Sequence, residues 1–437
     1  MKPADLLITN GRILTMCDDM GIIDRGFVAV QGDKIAAVEP QGENISEYAA
    51  SKCIDARGGI VMPGLINTHT HAAMTCFRGL ADDLPLMDWL ENHIFPAESK
   101  LSPDWVYKGT LLACAEMIAS GTTTFCDMYL YADAVARAAK DAGLRAVVGE
   151  VLYDFDSPNY GPVEEGLEYT RTLIDTWRDD PLIGVAVEPH SAYLCSPDLL
   201  MEAKAIADSE KASMVIHLSE SEQEVHQIRQ RYGQTPVAHL AQIGFLGPRL
   251  VADHCVALTD RDMDILAEYD VKVAHNPESN MKLASGVAPI PGLLERGITV
   301  GIGTDGCASN NDLDLFQEMD TLAKLHKVHV MDPTVMDAPT VTGMATLGGA
   351  KVLGLDDQIG SLAPGGQADI LILDTRRPHL VPMYNVYSHL VYVFSGADVQ
   401  TTIVAGRVLM EDRQLTTLDV GQVMSDVNAI ARKIRNG

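Results

Sequence analysis

The sequence is short of positive charge. Its 437 residues carry 33 Lys and Arg against 60 Asp and Glu, a formal charge of −27. Such a chain repels phosphate backbones and anionic bilayers, so polymeric nucleic acid and membranes are not expected partners. Long apolar runs are missing as well. The opening "MKPADLLITNGRILTM" lacks the uninterrupted apolar segment of a secretory signal, and no stretch approaches bilayer-spanning length. A soluble, cytoplasmic protein is the expectation. The eight cysteines, at 17, 53, 76, 114, 126, 195, 255 and 307, form no CxxC pair and no disulfide framework, and most read as small buried hydrophobes. No Gly-x-Gly-x-x-Gly or Walker loop opens a helix and no Gly-x-Ser-x-Gly turn follows a strand, so neither a phosphate cradle nor a nucleophile elbow has support. There is no low-complexity segment.

What the chain does have is alternation. Between residues 60 and 306, short β-branched runs alternate with helix-like stretches, the pattern of parallel βαβ units. Strands are expected at 60–67, 122–129, 145–153, 183–189, 213–220, 250–256, 271–277 and 299–305, and eight is the number that closes a (β/α) barrel. Ser102-Pro103 and Ser196-Pro197 each supply an N-cap followed by proline at the first helical position, while Gly121, Gly143 and Gly297 stand where C-caps belong. The two ends differ: "DLLITNGRILTM", "FVAVQGDKIAAVEP", "ADILILD" and "TTIVAGRVLMEDRQL" are short strands around glycine turns, each too small to bury a core alone. The expected architecture is an α/β protein: a (β/α)8 TIM-type barrel over 61–360 and a small composite β-sandwich domain built from 1–60 and 361–437.

In such a barrel the chemistry sits at the C-terminal ends of the strands. His69 and His71 follow the first strand, Glu188 and His190 end the fourth, His217 and then Glu220 belong to the fifth, His254 to the sixth and Asp305 to the eighth. Alternate strand residues share a side, so His-x-His aims both rings at one point. Three histidines and a carboxylate suit Zn²⁺ or another divalent ion, one per subunit, and such an ion activates water near neutral pH. His93, His226, His239, His326, His329 and His379 read as ordinary core or surface residues. Glu222 and Glu224 read as the exposed face of the helix after strand five.

These residues together resemble the amidohydrolase superfamily, through "MPGLINTHTH", "HLSES", "ADHCV", "AHNPESNMKLASG", "GIGTDGCASNNDLD" and "GQADILILD". Within it, "AAMTCFRGLADDLPLMDWLENHIFPAE" and "VEPHSAYLCSP" look like the 5'-methylthioadenosine/S-adenosylhomocysteine deaminases. The resemblance implies that His69, His71, His217 and Asp305 hold the metal, that Glu220 transfers protons and contacts substrate, and that His254 positions the attacking hydroxide. It implies that Glu98 accepts from ribose hydroxyls, that His190 contacts the purine, and that Asp305 shares the catalytic work. No lysine ends strand four to bridge a second metal, so a mononuclear site is the simpler reading.

The implied reaction is hydrolytic deamination of an adenine nucleoside at C6, releasing ammonia. One departure bears on substrate. Relatives often carry an arginine after the third strand, whereas this chain has Gly149 and Glu150. An acid there would repel the carboxylate of S-adenosylhomocysteine, which favours 5'-methylthioadenosine; Arg145 reads as structural. Adenosine stays open, as does another heterocycle such as guanine or a triazine, and a non-catalytic scaffold is the reading from another class. The expected partner is a small purine nucleoside, and the chain is expected to form a homo-oligomer.

Overall fold

The computed structural model describes residues 1–17, 21–84 and 86–436. The chain opens with β1 (Lys2–Leu14), β2 (Ile22–Gln31), β3 (Lys34–Pro40), β4 (Tyr48–Asp55) and β5 (Ile60–Pro63). The barrel strands follow: β6 (Leu65–Thr70), β7 (Thr122–Tyr129), β8 (Arg145–Leu152), β9 (Ile183–Val185), β10 (Glu188–Pro189), β11 (Met214–Leu218), β12 (Leu250–His254), β13 (Lys272–His275) and β14 (Val300–Ile302). The chain closes with β15 (Ile370–Leu373), β16 (Val399–Val404), β17 (Arg407–Glu411) and β18 (Gln414–Leu415).

Strands from both ends form one sheet in the order β18-β17-β16-β15-β5-β1-β2-β3, with β4 paired to β1. The expected first barrel strand, 60–67, is therefore two strands. Ile60–Pro63 pairs with β15 and β1, and the chain crosses into the barrel at Gly64. A Cβ at Gly64 would stand 1.9 Å from Thr123 Oγ1, so only glycine fits the crossing.

The second sheet runs β10-β8-β7-β6-β14-β13-β12-β11, with β9 beside β8, and its strand pairs are parallel. Parallel bridges from Val187 to Met214 and from Ser191 to His217 join the fourth strand position to β11, closing the ring. The fourth position is interrupted, with β9 and β10 in place of one strand over 183–189. The result is an α/β barrel of the TIM kind, its strands buried on both faces as a helix-wrapped parallel sheet requires.

The caps read from the sequence form. Ser102 Oγ accepts from Trp105 N at 3.4 Å and Ser196 Oγ from Leu199 N at 3.3 Å, opening Pro103–Ser120 and Pro197–Glu210. Gly121, Gly143 and Gly297 take φ of +95°, +89° and +75°, the left-handed region that ends helices. Arg145 bridges the two sheets: buried at 5 % exposure, it meets Asp369 Oδ2 at 3.1 Å just ahead of β15 and donates to Pro181 O at 2.9 Å. Six cysteines are buried, Cys17 is half-buried and Cys53 exposed, all as free thiols. The last helix, Val420–Asn436, returns from the composite sheet to pack on Pro103–Ser120.

Candidate active site

His69 is the penultimate residue of β6 and His71 lies just beyond it. Imidazole and carboxylate atoms of His69, His71 and Asp305 lie within 4.8 Å of one another, as do those of His69, His217 and His254. The His217 ring stands 5.0 Å from that of His69 and 5.4 Å from that of His71. Three segments far apart in the chain thus converge on one point at the barrel mouth. Asp305 is brought there by its own backbone, which adopts φ +61° and donates its N–H to His69 O at 3.0 Å.

The nitrogens facing away from that point are engaged. His71 Nδ1 donates to Met128 O at 2.5 Å, His217 Nδ1 to His190 O at 3.0 Å, and His254 Nδ1 to Asn280 Oδ1 at 2.9 Å. Behind His69, Asp253 Oδ2 lies 3.0 Å from Nδ1. A donor at Nδ1 fixes the tautomer and leaves Nε2 with a lone pair for a metal. His69 Nε2 is buried with no hydrogen-bond partner among the described residues. Asp305 is likewise oriented, its Oδ2 accepting from Ser279 Oγ at 2.6 Å and Ser309 Oγ at 2.8 Å. Three imidazoles and a carboxylate so arranged fit a borderline divalent cation.

Beside this point opens a pocket with about 680 Å³ of empty space, counting its mouth. Glu220, His190, His254 and Glu98 line it together with His71, His217 and Asp305. Its other walls are apolar, chiefly Trp89, Leu90, Ile94, Phe95, Met128 and Tyr153. Burial pushes the Glu98 carboxyl up to about 7, against a smaller downward pull from Tyr129 and His71. Burial also raises the Glu220 carboxyl, opposed chiefly by the neighbouring His254 ring. His190 is held down at about 3 by burial and by the neighbouring imidazoles, so its ring is neutral. For Asp305 burial acts upward, yet contacts with His69 and His71 outweigh it and hold the carboxyl well below its usual range.

Two expectations need correction. Glu224 is not on an exposed face: it is 4 % exposed, and its carboxylate accepts from the Ser219 and Glu220 amides. Glu222 beside it is exposed. Glu150 does not confront a substrate either. Its Oε2 accepts from Ala132 N at 2.8 Å, capping the helix Ala132–Ala142 outside the pocket, and burial raises its carboxyl to about 7. Gly149 has a separate reason: a Cβ there would lie 2.3 Å from the Glu188 carboxyl carbon inside the barrel.

Asp253 and Asn280 went unread. A charge within the apolar run "LVADHCV" was the available signal for Asp253. Glu224 stands three residues after the N-cap Ser221, the spacing of a capping box, which would have flagged it. His93, His226, His329 and His379 lie on the surface. His239 is buried, and His326 is a core residue 3.2 Å from His275.

The amidohydrolase family, as a sequence family, matches residues 60–409. The chain belongs to the amidohydrolase family. This amidohydrolase is 60% identical over 432 residues to a 5-methylthioadenosine/S-adenosylhomocysteine deaminase of Syntrophobacter fumaroxidans, covering 99% of each chain. It is 50% identical over 436 residues to a 5'-deoxyadenosine deaminase of Methanothermobacter thermautotrophicus, covering 99% of this chain and 100% of the relative. Among solved structures, an adenosine deaminase from Xanthomonas campestris with bound zinc superposes with a TM-score of 0.98 at 38% identity, covering 100% of both chains. None of the described helices is long and apolar enough to cross a membrane.

Proposed function

We propose that this amidohydrolase deaminates adenine nucleosides at C6, with 5'-methylthioadenosine as its best substrate. The observation that carries the reading is the convergence of four Nε2-presenting histidines and Asp305 beside a pocket that also holds two unliganded acids, Glu220 and Glu98. The names of the relatives support the same reaction class.

His69, His71, His217 and Asp305 would hold one divalent ion per chain, zinc by analogy with the zinc-bound neighbour. When bound, such an ion lowers the pKa of a coordinated water to about 7. His254 holds the attacking oxygen in line with C6. Glu220 gives a proton to ring N1, relieving the charge that would build there as C6 becomes tetrahedral. Asp305 takes the proton that the attacking water gives up and passes it to the exocyclic amino group, which leaves as ammonia, while the proton left on the C6 oxygen returns to Glu220. His190, neutral, contacts the purine, and Glu98 accepts from the ribose hydroxyls.

The 5' tail would lie against Trp89, Phe95 and Tyr153, the last stacked at 3.9 Å on Phe155. No lysine or arginine lines the pocket among the described residues. An uncharged methylthio group suits that wall. The amino-acid end of S-adenosylhomocysteine would find no cation there. The two-ended sheet we read as a β-sandwich over 1–60 and 361–437 beside a barrel over 61–360; Leu6, Ile8 and Val28 cluster with Ile370, Ile372 and Ile403 in its support.

The test is ammonia release by the zinc-loaded protein from 5'-methylthioadenosine, S-adenosylhomocysteine, adenosine and guanine. Methylthioadenosine is expected to have the highest kcat/KM. Glu220→Gln is expected to keep its metal and lose at least about 100-fold in kcat. Turnover of guanine with none of the nucleosides would overturn the reading.

A further inference from the structure

The other polar groups of this pocket are steered through their own side chains: His71 by Met128 O, His217 by His190 O, His254 by Asn280, and Asp305 by Ser279 and Ser309. Glu220 is different. Its carboxyl is influenced by the neighbouring charges, but no hydrogen bond to it occurs among the described residues. Its aim therefore follows from its backbone.

That backbone is unusual. Ser219, between β11 and Glu220, has φ +51°, a left-handed conformation that a non-glycine residue holds only when its surroundings enforce it. Contacts from two sides do so. Ser219 O accepts from Val256 N at 3.0 Å and Ala257 N at 2.8 Å, in the segment that leaves β12. From the opposite side, Glu224 Oε1 accepts from Ser219 N at 3.0 Å and Oε2 from Glu220 N at 2.8 Å. Glu224 sits in the first turn of the helix Glu222–Tyr232, whose N-cap Ser221 accepts from Glu224 N at 3.2 Å. An ordinary capping box would send the glutamate back to the N-cap amide. Here it reaches further, to the two residues that precede the cap.

We propose that Glu224 is a positioning residue for deamination: its two carboxylate oxygens grip the Ser219 and Glu220 amides and so set the direction from which Glu220 reaches the substrate ring. A carboxylate is suited to this because it presents an acceptor to each of two adjacent donors. Glutamine would turn an NH2 toward one of those amides. Alanine would leave both amides buried without partners. The proposal rests on the deaminase reading, in which Glu220 moves the proton.

The experiment uses full-length, zinc-loaded protein and 5'-methylthioadenosine. Glu224→Gln is expected to lower kcat roughly 10- to 100-fold while KM moves less than about threefold, as misplacement of a reacting group does. Bound zinc per chain and Tm serve as controls and are expected to stay near those of the unmodified protein; Glu224→Ala shows a larger loss. The decisive comparison is made on a Glu220→Gln background at high enzyme concentration. If Glu224 acts through Glu220, adding Glu224→Gln there costs nothing further. An equal fold-loss in both backgrounds, or a loss that tracks missing zinc, overturns the positioning role and leaves the deaminase reading standing. Absence of turnover by the unmodified zinc-loaded protein overturns that reading, and this proposal with it.

Discussion

Asp253 and His69 meet at 3.0 Å with both side chains fully buried, and neither Asp253 oxygen has a hydrogen-bond donor among the described residues with good geometry. A carboxylate behind a metal-binding imidazole raises the basicity of the ring and holds it in register. Asp253→Asn keeps the shape and removes the charge, and is expected to weaken metal retention by about 10- to 100-fold. Zinc remaining after timed dialysis against a chelator measures this; a variant that retains zinc as long as the unmodified protein would show that Asp253 is merely packed there. The ligands themselves were legible because a strand's two-residue period points His69 and His71 the same way. Asp253, Glu224 and Glu150 were not, because an acid's letter does not reveal whether it faces solvent, an amide pair or a helix end. Glu224 reads as one more charge in "SEQE", and its burial arises only when the loop after β11 folds back over it.

Strand positions were more legible than strand boundaries. β7 coincides with the expected 122–129, and β8, β11, β12 and β13 fall within their expected runs. The failures lie where the chain changes partners: Ile60–Pro63 belongs to the composite sheet although its apolar run continues into β6, and hydropathy does not mark such an exchange. The fourth position breaks at Ala186 and Val187, which are fully buried and thus invisible to a pattern argument. Arg145 was read as structural, and it is the element that ties β8 to the composite sheet. Its guanidinium faces Asp369, whose Oδ1 also accepts from Ala405 N at 2.7 Å. With both residues at 5 % exposure or less, Arg145→Ala strands a buried carboxylate. The expected loss in apparent unfolding free energy is about 3–5 kcal/mol, against near zero for an exposed pair. Urea denaturation of the zinc-loaded protein checks it. The double variant Arg145→Ala/Asp369→Asn should recover part of the loss, since no lone charge then remains; a single variant as stable as the parent would remove the bridge from the account.

At the scale of the whole molecule, the barrel buries more carboxyl groups than its fold explains. Asp127, Glu188, Asp253 and Asp305 are all buried within it, and no lysine or arginine pairs with them among the described residues. Glu188 has neither carboxylate oxygen partnered, and burial together with Asp127 and Asp253 drives its carboxyl well above the usual range. A divalent ion at His69, His71, His217 and Asp305 would favour the ionised forms of these carboxyls. It would also cross-link β6 to the exits of β11 and β14, segments that no covalent bond holds together. Because the unfolded chain lacks that geometry, the ion's binding free energy becomes stability of the folded state. The contribution follows RT ln(1 + [ion]/Kd), about 4.1 kcal/mol at a thousandfold excess over Kd. Chelated protein should therefore unfold at a lower temperature than the zinc-loaded form, with Tm climbing in proportion to the logarithm of free zinc. Calorimetry across a buffered zinc series measures that slope, and His217→Ala is expected to flatten it. A Tm indifferent to zinc in the unmodified protein would mean that the converging histidines are held by the fold alone, without an ion as their common partner.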